Sequence, residues 1–123
     1  MNLLTETQAR VMGTIWEADR PIKRSEIQSL LTDKEWKTPT LNTFLAKLVQ
    51  LGFLRIEHDR KDYVYHVLIS RKEYLAYETE QRLKKLYGNS IGDFLEAFCP
   101  VGNTSKEDIR EIEAYLKKLK GKK

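Results

Sequence analysis

The residues best suited to recognising a ligand lie together near the middle of the chain. The run TPTLNTFLAKLVQLGF spaces Leu41, Phe44, Leu45, Leu48 and Leu51 at helical intervals. With those five pointing inward, Thr40, Asn42 and Thr43 face outward near the helix start, and Lys47 follows a turn later. Asparagine can pair with an adenine edge, and threonine can donate to a base or touch a thymine methyl. Lys37 and Lys47 suit phosphates, with Thr38 beside them at the helix entrance. Arg55, and Arg60 with Lys61 in the charged run that follows, can hold a backbone or enter a minor groove.

Other chemistry is poorly supplied. There is no Gly-rich phosphate loop, no G-x-S-x-G and no H-E-x-x-H, so enzyme classes built on those motifs are excluded. His58 and His66 stand eight apart and read as a turn residue and a strand residue rather than a metal pair. The single cysteine, Cys99, has no histidine near it in sequence and reads as a small apolar residue beside Phe98. No catalytic residue, metal or cofactor is expected.

Composition agrees with a binding protein. The chain has 123 residues, 41% hydrophobic and 33% charged, enough for one domain or a small domain with an appended element. No apolar run reaches the ~20 residues of a membrane span, and the lone cysteine fits a reduced, cytoplasmic setting without membrane insertion. The net charge of +4 misleads as a sum. Five lysines sit in the tail KKLKGKK, so the rest of the chain is at −1. The distribution says more: no acid occurs between Glu35 and Glu57, a window that holds Lys37, Lys47 and Arg55.

The elements that would position these residues can be read in order. Thr5 with Gln8 forms a capping box opening a helix over 5–19, with Val11, Met12, Ile15 and Trp16 as its stripe. Ile22 starts a short extended piece, and a helix over 24–31 buries Ile27, Leu30 and Leu31. After a polar connection over 32–37 containing Trp36, Thr38 reads as N-cap and Pro39 as the first helical residue. Gly52 stands where a left-handed C-terminal residue belongs. Phe53–Glu57 and Tyr63–Ile69 read as the strands of a hairpin whose charged tip is His58–Asp62. This order is that of a winged helix-turn-helix. It favours DNA binding, with a winged helix used only for protein contacts as the alternative.

Beyond residue 70 the pattern is helical. Ser70 with Glu73 opens a helix over 71–87, Ser90 caps a short one, and Thr104 with Glu107 boxes the last. Tyr74, Leu83, Leu86, Phe94, Leu95 and Phe98 form apolar stripes, and Ile109, Ile112, Leu116 and Leu119 follow a 3-4-3 spacing. Helices this small enclose little core, so these residues are expected to pair with a second copy. The fold class is therefore mainly α with a small β-hairpin. The division expected is a winged DNA-binding domain over 1–70 and a helical dimerisation element with a basic tail over 71–123.

The chain resembles the penicillinase repressor family, the BlaI/MecI type of bacterial transcriptional regulators, over about residues 4–120. LTETQARVMGTIW is similar to the family's first helix, EWKTPTLNTFLAKLVQLGFL to its turn and recognition helix, YVYHVLISRKEY to its wing, and RLKKLYGNSIGDFLEAF to the stretch leading into the dimer helices. The resemblance implies a homodimeric repressor on a palindromic double-stranded operator, with Thr40, Asn42, Thr43 and Lys47 at recognition-helix positions. In the antibiotic-responsive branch a membrane sensor-protease system leads to cleavage at an Asn-Phe bond. That bond aligns with Ala97–Phe98, where the Asn is replaced. A copper-responsive branch carries a C-terminal cysteine cluster that this chain lacks.

Overall fold

The computed structural model describes residues 1–31 and 37–121, so the expected polar connection with Trp36 lies, over 32–36, outside the described residues. The chain forms two compact units, Met1–Glu80 and Gln81–Lys123. The elements are α1 (Glu6–Ala18), β1 (Ile22–Lys23), α2 (Arg24–Leu30), α3 (Thr38–Gln50), β2 (Leu54–Asp59), β3 (Asp62–Val67), α4 (Arg71–Tyr87), α5 (Ile91–Phe98) and α6 (Lys106–Gly121). The break between units falls inside α4, ten residues beyond the boundary expected at 70.

Local signals explain most of the helix ends. Thr5 Oγ1 accepts from the Gln8 N–H at 3.2 Å while Gln8 Oε1 accepts from the Thr5 N–H at 3.0 Å, closing the box at the start of α1. Ser70 and Glu73 do the same for α4. Gly52 follows α3 with φ +87°, a conformation that costs glycine nothing. Two expectations shift by one residue. Lys37, not Thr38, is the N-cap of α3, and Pro39 falls in its first turn. At α6 the capping hydroxyl is that of Ser105, which accepts from the Asp108 N–H at 3.0 Å, while Thr104 donates back to the Pro100 carbonyl.

The core of the first unit is built from Val11, Met12 and Ile15 of α1, Ile27 of α2, Leu41, Leu45 and Leu48 of α3, and Phe53, Leu54 and Tyr65 around the sheet. Leu30 does not join it: it is exposed, and Leu31 at the end of α2 is the buried neighbour. The sheet has three strands, not two. The extended piece at Ile22–Lys23 pairs antiparallel with β3, setting Ile22 opposite Tyr65, and gives the order β1-β3-β2.

Tyr74 departs from a further expectation. It is only 3% exposed and sits in the core of the first unit, its ring 5.6 Å from Phe53 and 5.8 Å from Trp16. Its hydroxyl accepts the Leu4 N–H at 2.8 Å. Tyr77 adds a bond from its hydroxyl to the Met1 carbonyl, and Trp16 Nε1 donates to the Ile69 carbonyl at 2.9 Å. The first turns of α4 are therefore part of the winged unit, and Tyr74 has no free face to offer a second copy.

The second unit, taken by itself, has no buried residue among those described. Phe94 stacks on Phe98 at 5.5 Å and meets Tyr87 edge-on at 5.9 Å. Leu86, Ile91, Leu95, Phe98, Ile109, Ile112, Leu116 and Leu119 are exposed, and Leu83 and Phe94 are half-buried. Among the described residues no helix is long and apolar enough to cross a membrane.

Candidate nucleic-acid interface

The outward face of α3 follows from its inward one. Leu41, Leu45 and Leu48 are fully buried and Phe44 is half-buried, which leaves Thr38, Thr40, Asn42, Thr43, Ala46 and Lys47 exposed. The first turn carries no acid, so its free N–H groups and helix dipole favour an anion.

Hydrogen bonds divide these side chains by role. Thr38 Oγ1 donates to Gln28 Oε1 at 3.1 Å, and Arg24 donates to the same oxygen at 3.0 Å, so Thr38 braces α3 against α2. Thr43 Oγ1 donates to the Pro39 carbonyl at 3.0 Å, which engages its hydroxyl and turns its methyl into the contact it can offer. Asn42 and Thr40 make no such bond among the described residues, and Asn42 holds the full donor–acceptor pair that an adenine edge requires.

The wing is β2 and β3, paired from Leu54 opposite Val67 to Asp59 opposite Asp62. The tip is thus only Arg60 and Lys61, tighter than the expected His58–Asp62, and Arg60 holds φ +56°. Strand pleating sorts the side chains onto two faces. Ile56, His58, Tyr63 and Tyr65 share the face toward α3, where Ile56, Tyr63 and Tyr65 line a shallow cleft with Asn42, Ala46 and Val49. Arg55, Glu57, Asp59, Asp62 and His66 take the reverse face.

The acids of the wing are engaged there. Glu57 lies 2.9 Å from His66 Nε2, and that hydrogen bond, helped by the imidazole charge, holds its carboxyl below the usual range. Asp59 pairs with Lys23 at 3.8 Å. Asp62 accepts from Ser25 Oγ at 2.6 Å and from the Tyr63 N–H at 2.8 Å, and the Ser25 bond is the main cause of its lowered pKa. Lys37, Lys47, Arg60 and Lys61, by contrast, make no ion pair among the described residues.

The geometry therefore brings together Thr40, Asn42, Thr43 and Lys47 on one helix face, with Arg60 and Lys61 at the tip of the wing. It does not bring Arg55 to that surface, because Arg55 alternates with Ile56 and lies on the reverse face beside Glu57. Two residues outside the expectation, His58 and Tyr63, do join the α3 side, their rings 4.4 Å apart edge to face. Their pairing across the hairpin is the signal that marks them, once the register is known. His58 and His66 fall on opposite faces, and the described residues hold no group of metal-ligating side chains.

Three helices closing on a three-stranded sheet, with an exposed polar helix beside a wing whose tip is basic, define a winged helix-turn-helix protein. Residues 4–118 match the penicillinase repressor family, and the chain belongs to it. Among its relatives, the penicillinase repressor of Bacillus licheniformis is 22% identical over 120 residues, covering 98% of this chain and 94% of that protein. The methicillin resistance regulatory protein MecI of Staphylococcus aureus strain N315 is 22% identical over 116 residues, 94% of each chain. An uncharacterised 16.5 kDa protein of Latilactobacillus sakei is 25% identical over 115 residues, 94% of this chain and 79% of that one. The chain is thus a DNA-binding regulator of a repressor family rather than a member of an enzyme family.

Proposed function

We propose that the protein acts as a homodimer on a palindromic double-stranded operator, each winged unit reading one half-site and the unit from Gln81 onward pairing the two copies. The observation that carries the DNA-reading half is the sorting of charge around α3 and the wing. Glu57, Asp59 and Asp62 are tied to His66, Lys23 and Ser25 on the reverse face, while Lys37, Lys47, Arg60 and Lys61, with no ion pair among the described residues, suit phosphates. Asn42 reads an adenine edge, and Pro39, Thr43 and Ala46 present apolar atoms to thymine methyls.

The pairing half is supported by exposed apolar residues on every helix of the second unit, including Leu86, Phe98, Ile112 and Leu116. Upstream control by a sensor-protease would act at Ala97–Phe98, both exposed at the C-terminal end of α5.

Selection from a pool of random duplexes tests the reading. A recovered two-fold-symmetric sequence, bound by a dimer in light scattering and released steeply as salt rises, is the expected result. Failure to enrich any sequence overturns it.

A further inference from the structure

The cleft between α3 and the wing borders the base-reading face, shares Asn42 and Ala46 with it, and lies apart from the wing tip. It is lined by Asn42, Ala46 and Val49 from the helix and by Ile56, Tyr63 and Tyr65 from the sheet. It is a notch in the surface with apolar walls and no carboxylate among its lining residues. Tyr63 stands on one wall, 37% exposed, braced by the His58 ring 4.4 Å away. Its hydroxyl makes no hydrogen bond among the described residues.

A recognition helix in the major groove and a wing tip in the next minor groove necessarily straddle something. The two grooves of a duplex are separated by one sugar–phosphate strand, which must pass between helix and wing. Such a strand turns the apolar edges of its deoxyriboses toward the two grooves, where the side walls of a cleft would meet them, and its phosphate oxygens away from the duplex axis. The cleft offers the matching surface: apolar walls at Ala46 and Ile56, Lys47 on the helix side, and Arg60 with Lys61 at the wing tip.

We infer that this cleft seats the backbone strand between the two grooves, and that Tyr63 donates its hydroxyl to a phosphate of that strand, with His58 as the positioning residue that holds its ring. The inference rests on the DNA-binding reading and adds to it a contact that fixes how far Asn42 enters the major groove. Tyr63 carries no sequence information of its own; it sets register, as backbone contacts do.

The test uses the full chain, the duplex enriched from the random pool, and copies of it with one phosphate at a time replaced by a methylphosphonate. Tyr63→Phe removes only the hydroxyl and is expected to weaken binding roughly fivefold, the worth of one hydrogen bond. At one position the methylphosphonate should weaken the wild type more than it weakens Tyr63→Phe, by about the same factor that separates the two proteins on the unmodified duplex. His58→Ala should weaken wild-type binding while changing Tyr63→Phe little. Equal affinity of Tyr63→Phe and wild type, or equal sensitivity of both to every replaced phosphate, overturns the inference. If no duplex is enriched at all, the DNA-binding reading itself fails, a separate outcome.

Discussion

The hydroxyl of Ser25, at the start of α2, donates to Asp62 Oδ2 across 2.6 Å and ties the helix-turn-helix to the wing beside its tip. Lys23 and Asp59 close a second, longer contact at 3.8 Å between the same two regions. The wing is thereby anchored on its reverse face by the pair that flanks the tip, which leaves the α3 side of the sheet open and fixes where Arg60 and Lys61 are presented.

The Ser25 contact makes stability depend on pH in a defined direction. Its hydrogen bond lowers the Asp62 pKa in the folded chain, so the unfolded chain holds that proton more tightly. The contribution is complete at neutral pH and is lost as pH falls through the carboxylate range. Ser25→Ala should therefore be less stable than wild type at neutral pH, with the gap closing on acidification. Urea titrations of both proteins at several pH values measure this, and a gap that stays constant with pH would assign the loss to something other than Asp62.

Asn42 and Thr43 are adjacent on α3 but should respond differently. Asn42→Ala removes a free amide and should weaken operator binding by about 1–3 kcal/mol without changing stability, because the side chain is exposed. Thr43→Val removes a hydroxyl already bonded to the Pro39 carbonyl and keeps the methyl, so binding should change by less than about 1 kcal/mol. Anisotropy titrations on the enriched duplex compare the two, and an equal loss in both would refute this division of roles.

Arg60 holds a left-handed conformation, φ +56°, that an L side chain adopts at a cost. Arg60→Gly should raise stability by about 0.5–1 kcal/mol, the strain relieved less the added freedom of the unfolded glycine. If Arg60 meets a phosphate, the same change should lower the salt slope of DNA binding by about one unit. A variant both more stable and more weakly bound would show the residue keeping charge at the expense of backbone comfort.

Much of the winged unit was legible because its signals are local. The boxes at Thr5–Gln8 and Ser70–Glu73, the glycine after α3 and the leucine spacing within it each act over one or two turns. What escaped depends on distant partners. The extended piece at Ile22 was legible, but two residues have no period to give away a partner, so its place as a third strand shows only once Ile22 is opposite Tyr65. The wing strands run past the core into charged sequence, where alternation between apolar and polar residues vanishes. That hid both the two-residue tip and the reversal of Arg55 relative to Tyr63. Leu30 and Leu31 are equally apolar neighbours, and only packing decides that Leu31 is buried.

Tyr74 is a further case, and it yields a prediction. Its place in an apolar helical stripe suits a partner helix as well as a core, and the core takes it. Tyr74→Phe leaves the Leu4 N–H without its acceptor in a buried position and should cost about 1–2 kcal/mol in urea unfolding. The mass in light scattering should not change. Loss of dimers with stability intact would return Tyr74 to the pairing surface.

Ile112 and Leu116 test the pairing surface itself. Both are exposed on α6, a helix with no buried residue, so a change to aspartate should not disturb the fold of a single copy. A carboxylate at either position would have to be stripped of water in a helix–helix contact, at a cost of several kcal/mol. Ile112→Asp with Leu116→Asp should therefore give monomers whose circular dichroism matches wild type. Operator affinity should fall with the dimer, since two half-sites about one helical turn apart (~34–36 Å) are held by one linked molecule, and each unit alone has only its own contacts. A single half-site duplex should be bound equally by the variant and the wild type, which separates lost pairing from damaged reading. If mass and operator affinity are both unchanged, the copies meet elsewhere, and the exposed rings of α5 around Phe98 become the next residues to replace.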